Sequence, residues 1–209
     1  MILDVACGIG YGSRILRFHG AKKSVGVDVS KNAIVYAEKH YPESNFFIMD
    51  ATQLGFRSEV FDVVCSFETI EHIKEFEKYL SEIKNLLKPG GLFIVSTPLK
   101  EAWSPYGNRS ANPFHVREFS QKEFCSVISD FFQIVGIYGQ GSCSIERFIL
   151  YPYEVLAIGI LGERRIFIDK ILATLRAEKN REDCKVVPFR KNRFTIPKYI
   201  IAVCRKPKE

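Results

Sequence analysis

Met1-Ile-Leu-Asp-Val-Ala-Cys-Gly-Ile-Gly-Tyr-Gly-Ser13 opens the chain and predicts a short strand that runs directly into a glycine-rich turn. Residues 2–6 are almost continuously apolar, which is typical of a strand buried on both faces. Gly8, Gly10 and Gly12 follow, and the absence of a Cβ lets the backbone turn tightly and approach a ligand closely. A helix that begins near Gly10 would point its N-terminal amides at the same place. The stretch therefore predicts a ligand site at the carboxyl end of the first strand.

The spacing of the glycines separates two interpretations of this turn, both of which place a nucleoside-bearing cofactor beside it. A dinucleotide fingerprint, as in nicotinamide oxidoreductases, has Gly-x-Gly-x-x-Gly or Ala, but Ser13 occupies the last position here. The third glycine is instead Gly12, and an acid, Asp4, stands four residues before Gly8. A tight strand–helix connection without any ligand is the structural alternative.

Four later stretches each end where a nucleoside site needs a polar group. They are Ser24–Asp28, Asn45–Asp50 followed by Ala51 and Thr52, Phe61–Ser66 followed by Phe67-Glu-Thr-Ile-Glu-His72, and Leu87–Ser96 with its Lys-Pro-Gly-Gly turn. Asp28 ends the second predicted strand, where a carboxylate can accept hydrogen bonds from both ribose hydroxyls. This role is common to the two interpretations.

The ordered set resembles the small-molecule branch of the class I S-adenosylmethionine-dependent methyltransferases, the methyltransferase type 11 group. Asp4-x-x-x-Gly8-x-Gly10-x-Gly12 is similar to motif I of that family, and the resemblance covers roughly residues 2–137 and the final strand. Within that family, the sequence most resembles the group related to ubiquinone-biosynthesis methyltransferases and to the methyltransferases of surface-glycan clusters. The segment Asn112–Phe119 is similar to one that many of those proteins carry after the fifth strand.

The resemblance implies S-adenosyl-L-methionine as cofactor and S-adenosyl-L-homocysteine as product. It implies that Asp50 faces the adenine amino group. The cofactor-binding residues it implies are Asp4, Ala6, Gly8, Gly10, Tyr11, Asp28, Val29, Asp50, Ala51, Thr52 and Phe67. It also implies an α/β fold, a Rossmann-like doubly wound sheet of seven strands in the order 3-2-1-4-5-7-6, with the last strand antiparallel.

Two histidines are placed to act as the base that a hydroxyl acceptor requires. His72 follows the fourth predicted strand, and His115 lies in the segment after the fifth. His72 could instead be a helix-start histidine bonded to the backbone, and His115 could order its segment with Arg117 and Glu118. Glu71 and Arg117 are predicted to contact a small-molecule or glycan acceptor. No His, Cys or Asp cluster has metal-ligand spacing, so no metal is predicted.

Length and composition indicate one domain, residues 1–209, with residues 145–195 as a helical, basic insert. The six cysteines form no Cys-x-x-Cys pair and are expected to be free thiols. Without a leader or a long apolar run, a cytoplasmic protein is expected. The family usually has upstream helices that close over the cofactor, and here only Met1 precedes the first strand. This suggests a fragment, a different lid, or a non-catalytic protein that keeps the fold for cofactor binding or assembly.

The positive charge of the chain is concentrated near its C-terminus. Residues 164–209 hold 14 Lys and Arg against 5 Asp and Glu, whereas residues 1–163 hold 16 against 19. We expect this basic region to meet an anionic substrate or, peripherally, an anionic membrane surface. No sequence-specific nucleic acid is predicted, and a homodimer is left open.

Overall fold

The computed structural model describes residues 1–100, 112–140, 187–189 and 197–208. Its strands are β1 (Ile2–Val5), β2 (Ser24–Asp28), β3 (Asn45–Ile48), β4 (Phe61–Phe67), β5 (Leu87–Pro98), β6 (Gln133–Gln140), β7 (Val187–Pro188) and β8 (Tyr199–Arg205). Its helices are α1 (Tyr11–Phe18), α2 (Lys31–His40), α3 (Phe76–Leu86) and α4 (Gln121–Ser129), with a 3-10 turn at Ile70–His72. The insert predicted at residues 145–195 falls almost wholly outside the described residues.

The strands form one sheet in the order β3-β2-β1-β4-β5-β8-β6-β7. β1 pairs in parallel with both β2 and β4, and the final long strand, β8, runs antiparallel between β5 and β6. The predicted order 3-2-1-4-5-7-6 with an antiparallel last strand is therefore confirmed. The two-residue β7 extends the edge beyond β6. The first four strands, all parallel, bring their carboxyl ends to the same edge of the sheet.

The first two helices follow their strands as the sequence predicts. The Ser30 hydroxyl accepts from the backbone N–H of Ala33 and caps α2. Ser120 and Glu123 form the predicted capping box at the start of α4. These local signals fix where the chain enters each helix, and so where each preceding loop lies.

The Lys-Pro-Gly-Gly segment, predicted as a turn before the fifth strand, lies within β5 as a bulge. The pairing with β4 jumps from Phe61–Leu87 to Val63–Leu92, and Gly90 has a φ of +76°. Gly90 N–H donates to the carbonyl of Lys206, and Lys206 N–H donates to that of Gly91. These bonds to a residue just beyond β8 are a tertiary effect that local turn chemistry does not reveal.

The sheet is buried on both faces. Leu3, Val5 and Val64 are fully buried and pack in a large cluster with α3 and α4, while Ile2, Cys65 and Ile94 pack in a second cluster with α1. This double burial explains the continuous apolar runs of β1, β2 and β4. No helix of the described residues is long and apolar enough to cross a membrane.

Candidate active site

A cavity of about 510 Å³ opens at the carboxyl ends of the first four strands. It is lined by Ala6, Val27, Asp28, Val29, Met49, Asp50, Ala51, Thr52, Glu68, Thr69, His72, Ile73, Lys74 and Glu75. Its volume is that of an ordinary small-molecule site, and its place is where doubly wound sheets bind ligands.

The glycine turn beside this cavity needs two of its glycines for different reasons. Gly10 has a φ of +81°, and a Cβ there would lie 2.6 Å from the Cβ of Ala37 and 2.7 Å from Phe46 Cζ. Gly8 has a φ of +54°, but a Cβ there would meet nothing within 4 Å. The lack of a side chain at Gly10 therefore allows the start of α1 to pack against Ala37 and Phe46. At Gly8 the position of the missing Cβ faces unoccupied space.

Asp28 is tied to the glycine turn by its carboxylate. Its Oδ2 accepts a 2.9 Å hydrogen bond from the backbone N–H of Gly8, and its Oδ1 accepts a 2.8 Å bond from that of Ser30. Each carboxylate oxygen has a second lone pair left for a ligand. The carboxylate is thus held in a fixed position from which it can bind two vicinal hydroxyls.

Asp50 also lines the cavity, just beyond β3, the strand next to β2. Its Oδ1 accepts hydrogen bonds from the backbone N–H and the hydroxyl of Thr52, at 2.7 and 2.8 Å. These two bonds lower the pKa of the Asp50 carboxyl, so it is an anionic acceptor at neutral pH.

His72 is oriented by a backbone carbonyl from another part of the chain. Its Nδ1 lies 2.9 Å from the carbonyl oxygen of Phe114. Because a carbonyl can only accept, Nδ1 carries the hydrogen, and Nε2 of the neutral ring keeps a lone pair. Nε2 lies 3.9 Å from Oε1 of Glu71. His72 therefore lines the cavity with its ring held by the Phe114 carbonyl and its Nε2 beside Glu71.

Glu71 and His115 lie next to His72 but do not line the cavity. Glu71 is 1% exposed, and its Oε2 accepts a 3.1 Å hydrogen bond from Thr97 while its Oε1 has no partner among the described residues. The rings of His72 and His115 meet edge to face, with centroids 4.9 Å apart. Burial raises the pKa of Glu71 to about 7, whereas burial above all, and the neighbouring His72 ring, lower the pKa of His115.

The segment around His115 is docked on the 3-10 turn through backbone hydrogen bonds. The N–H groups of Val116 and Arg117 both donate to the carbonyl of Glu71. His115 Nδ1 lies 3.6 Å from a carboxylate oxygen of Glu118, as expected if this residue orders its own segment. Glu71, His72 and His115 each place one oxygen or nitrogen atom within 4.8 Å of the others. The absence of a metal remains a prediction that a chelator test must decide.

The predicted cofactor residues divide into two groups in the structure. Those that line the cavity are Ala6, Asp28, Val29, Asp50, Ala51 and Thr52. Those that do not line it are Asp4, Gly8, Gly10, Tyr11 and Phe67. Asp4 is 2% exposed and accepts a 2.9 Å hydrogen bond from the Ser13 hydroxyl. This bond links β1 to α1, the two elements that the glycine turn connects. Among the predicted catalytic and acceptor residues, His72 lines the cavity, but Glu71, His115 and Arg117 do not.

Four polar residues in the cavity wall were not among the predicted site residues, namely Glu68, Thr69, Lys74 and Glu75. Glu68 has a φ of +50°, which is uncommon for a residue other than glycine. Its place directly after a buried strand makes it a weaker candidate for the base from the sequence alone, behind His72 and His115. Cys7, by contrast, is not a nucleophile, because burial and the charges of Asp4 and Asp28 raise its pKa far above the usual range.

Comparisons with known proteins show what this chain is similar to. Residues 3–95 match the methyltransferase domain family. The chain is 31% identical over 127 residues to a protein of Mycolicibacterium smegmatis named "Probable S-adenosylmethionine-dependent methyltransferase", covering 61% of this chain and 49% of that protein. It is 33% identical over 116 residues to the mitochondrial ubiquinone biosynthesis O-methyltransferase of Dictyostelium discoideum, covering 46% of this chain and 34% of that protein.

Solved structures agree on the fold. An S-adenosylmethionine-dependent methyltransferase of Thermotoga maritima matches with a TM-score of 0.68 and 18% identity, covering 99% of this chain and 81% of the other. The cyclase SpnF matches with a TM-score of 0.63 and 21% identity, covering 100% of this chain and 74% of the other. The chain spans about half the length of the mycobacterial relatives it matches, 49% and 47%. The family implies S-adenosyl-L-methionine as the cofactor.

Proposed function

We propose that this chain, whose residues 3–95 match the methyltransferase domain family, is an S-adenosylmethionine-dependent methyltransferase that transfers a methyl group to a hydroxyl oxygen of a small-molecule or glycan acceptor. The observation that carries the proposal is a single cavity lined by Asp28, Asp50 and His72, which offers two nucleoside contacts and a base together. The curated relatives named O-methyltransferases support an oxygen acceptor.

The residues of the cavity fit the cofactor. Asp28 offers two oxygens to the ribose hydroxyls, Asp50 offers an anionic oxygen to the adenine amino group, and Gly8 leaves room over the turn. When bound, S-adenosyl-L-methionine supplies a methyl group on a sulfonium sulfur, which a nucleophile can displace in line. The protein's contribution is to position the two reactants and to shield them from water.

His72 is the proposed general base. The carbonyl of Phe114 fixes the ring so that Nε2 can take the proton of an acceptor hydroxyl. His115 packs against this ring and, with Glu71, holds the segment that supplies the Phe114 carbonyl. In this account His115 is a positioning residue rather than the base. Arg117, exposed at the edge of the same segment, is proposed to contact the acceptor.

The test is a transfer assay with S-adenosylmethionine labelled in its methyl group, run against a panel of phenols, sugars and amines. The proposal expects label in a methyl ether and no oxidation of nicotinamide. Label found only in an N-methylated or C-methylated product would overturn the oxygen acceptor. Absence of transfer to any acceptor, together with tight cofactor binding, would favour a non-catalytic binding protein. SpnF shows that this fold also serves a protein named as a cyclase.

We further propose that the basic region of residues 164–209 contacts an anionic acceptor or an anionic membrane surface. Most of this region lies outside the described residues, so charge alone supports the proposal. Flotation with vesicles containing anionic lipid should retain the chain at low salt and release it at high salt. Failure to float, or flotation that salt does not weaken, would contradict it.

A further inference from the structure

β3 is an edge strand whose outer side can accept another strand. It ends the order of the sheet, and β2 is its only neighbouring strand among the described residues. The Met49 N–H donates to the carbonyl of Asp28, so the alternating backbone groups of Phe46 and Ile48 point away from β2. These N–H and C=O groups form a row along the outer edge of β3 that is ready to pair.

Exposed apolar side chains flank this outer edge. Phe47 is 44% exposed and Ile48 is 52% exposed, although both belong to a strand. Val35, in the preceding helix α2, is 53% exposed. Phe46 packs in one cluster with Ala37 of α2, so Val35 lies near the level of the middle of the strand. The outer edge of β3 is therefore apolar on both sides of its row of backbone groups.

Lys31, Val35 and Glu38 form a stripe along α2, here called the α2 stripe. They stand at i, i+4 and i+7, the spacing of one helix face, and all three are exposed. Neither Lys31 nor Glu38 belongs to an ion pair among the described residues. The stripe thus has a cation at its start, an apolar side chain at its middle and an anion at its end. Such a stripe is complementary to a second copy of itself that runs antiparallel.

The α2 stripe lies on the same side of the molecule as the outer edge of β3. Ala37 marks the side of α2 that faces α1, because a Cβ at Gly10, the N-cap of α1, would lie 2.6 Å from Ala37 Cβ. Ile34, which is buried, follows about 60° around the helix axis, and the stripe lies further in the same direction, about 100–160° from Ala37. The stripe therefore faces away from α1, beside the outer edge of β3.

We propose that two copies of this chain form a dimer through the outer edge of β3 and the α2 stripe, related by a two-fold axis. In an antiparallel pairing centred on Phe47, the backbone groups of Phe46 in one copy bond to those of Ile48 in the other. The two Phe47 rings then become cross-strand neighbours, a pair that stabilises sheets. The sheet continues from one copy into the next, and both free edges are covered.

The helices fit beside the paired strands. α2 contacts both β2 and β3, and neighbouring strands are about 4.8 Å apart, so the two α2 helices would run antiparallel about 10 Å apart. Packed helices have axes about 8–10 Å apart. Val35 then meets Val35 at the axis, and Lys31 of each copy faces Glu38 of the other. The antiparallel pairing places the two cavities at opposite edges of the joined sheet, so the inference goes beyond the proposed function and does not depend on it.

Sedimentation velocity at low ionic strength tests this inference. We expect the wild type to approach the mass of two chains as its concentration rises. Val35→Glu changes an exposed position and sets two carboxylates against each other at the axis, so it should sediment as one chain where the wild type is dimeric. Circular dichroism shows whether the variant is folded. A wild type that stays monomeric, or a folded Val35→Glu that dimerises as the wild type does, would overturn the inference.

Two charge reversals test the antiparallel direction of the stripe. Lys31→Glu and Glu38→Lys each replace two attractive pairs by two repulsive ones and should raise the dissociation constant of the dimer about tenfold or more. Their equimolar mixture should dimerise again, because the carboxylates of one variant face the ammonium groups of the other. Lys122→Glu makes the same charge change at an exposed position of α4 and should dimerise like the wild type. A mixture that stays as weak as its components would contradict the proposed pairing.

Amide hydrogen exchange followed by nuclear magnetic resonance tests the strand pairing. The Ile48 N–H should exchange more slowly in the dimeric wild type than in monomeric Val35→Glu, because pairing protects it. Equal exchange rates for this amide in the two proteins would show that the dimer does not form through β3. None of these outcomes bears on methyl transfer, which the acceptor assay tests separately.

Discussion

The Ser13 hydroxyl donates a 2.9 Å hydrogen bond to Asp4 Oδ2, and both side chains are buried. This bond joins the first turn of α1 to β1 beneath the glycine turn. Ser13 is also the residue that separates this turn from a dinucleotide fingerprint, in which a glycine or alanine stands at that position. The position is occupied by a small side chain that supports the turn through a hydrogen bond.

Ser13→Ala should destabilise the domain by about 1–3 kcal/mol, because it removes a donor from a buried carboxylate. Urea unfolding followed by circular dichroism measures the difference. Ser126→Ala, an exposed site in α4, is the matched control and should change stability by less than about 0.5 kcal/mol. Equal unfolding midpoints for the two variants would show that the Ser13–Asp4 bond does not support the turn.

Gly10→Ala and Gly8→Ala should behave differently although both positions have positive φ. The new methyl group at position 10 would overlap Ala37 and Phe46, so we expect a loss of at least about 2 kcal/mol in stability. At position 8 the methyl group meets open space, and backbone strain alone should cost about 1 kcal/mol. Thermal unfolding compares the variants. Similar losses at both positions would contradict the assignment of Gly10 to packing and of Gly8 to ligand approach.

Glu71→Gln should change how stability depends on pH. Burial raises the pKa of Glu71 to about 7 in the folded protein from its ordinary value of 4.5, so the folded state binds more protons between these values. Stability should therefore fall as pH rises from about 4.5 to about 7 and then level off, by up to about 3 kcal/mol. Urea midpoints between pH 4.5 and 8 should be flatter for Glu71→Gln. An unchanged slope would contradict the burial effect, and Glu77→Gln, an exposed acid of α3, should keep the wild-type slope.

His72→Gln should lower kcat by about 10²–10⁴-fold and leave the affinity for S-adenosylhomocysteine within a few-fold. The effect depends on Nε2 being the proton acceptor. His40→Gln, on the exposed end of α2, is the matched control and should leave kcat unchanged. Full turnover by His72→Gln would remove His72 as the base. His115→Gln should reduce kcat less than His72→Gln does, and a larger effect would exchange their proposed roles.

The sheet could be predicted from the sequence because its signals are local or strongly patterned. The buried strand β1 and the capping residues Ser30 and Ser120 each define an element without distant contacts. The place of the Lys-Pro-Gly-Gly segment within β5 could not be predicted, because it depends on hydrogen bonds with Lys206, which lies more than a hundred residues away.

The candidate site was predictable in part for the same reason. Asp28 ends the buried strand β2 and Asp50 follows β3, and the carboxyl ends of parallel strands meet at one edge. The hydrogen bond of Glu68 with Ser96 and the contact of His72 with Phe114 depend on tertiary packing between residues far apart in sequence. Sequence spacing could name His72 and His115 as candidates, but it could not reveal that one ring packs on the other.

Calorimetric titration with S-adenosylhomocysteine, comparing wild type with Asp28→Ala, tests the central claim most directly. Asp28→Ala removes two charge-assisted hydrogen bonds to the ribose, so the account predicts tight binding by wild type and at least about 100-fold weaker binding by the variant. Asp130→Ala, an exposed acid at the end of α4, should bind like wild type. Because Asp28 also holds Gly8 and Ser30, thermal unfolding must show that the variant is folded. No binding by wild type, or equal binding by a folded Asp28→Ala, would contradict a cofactor held across these strand ends.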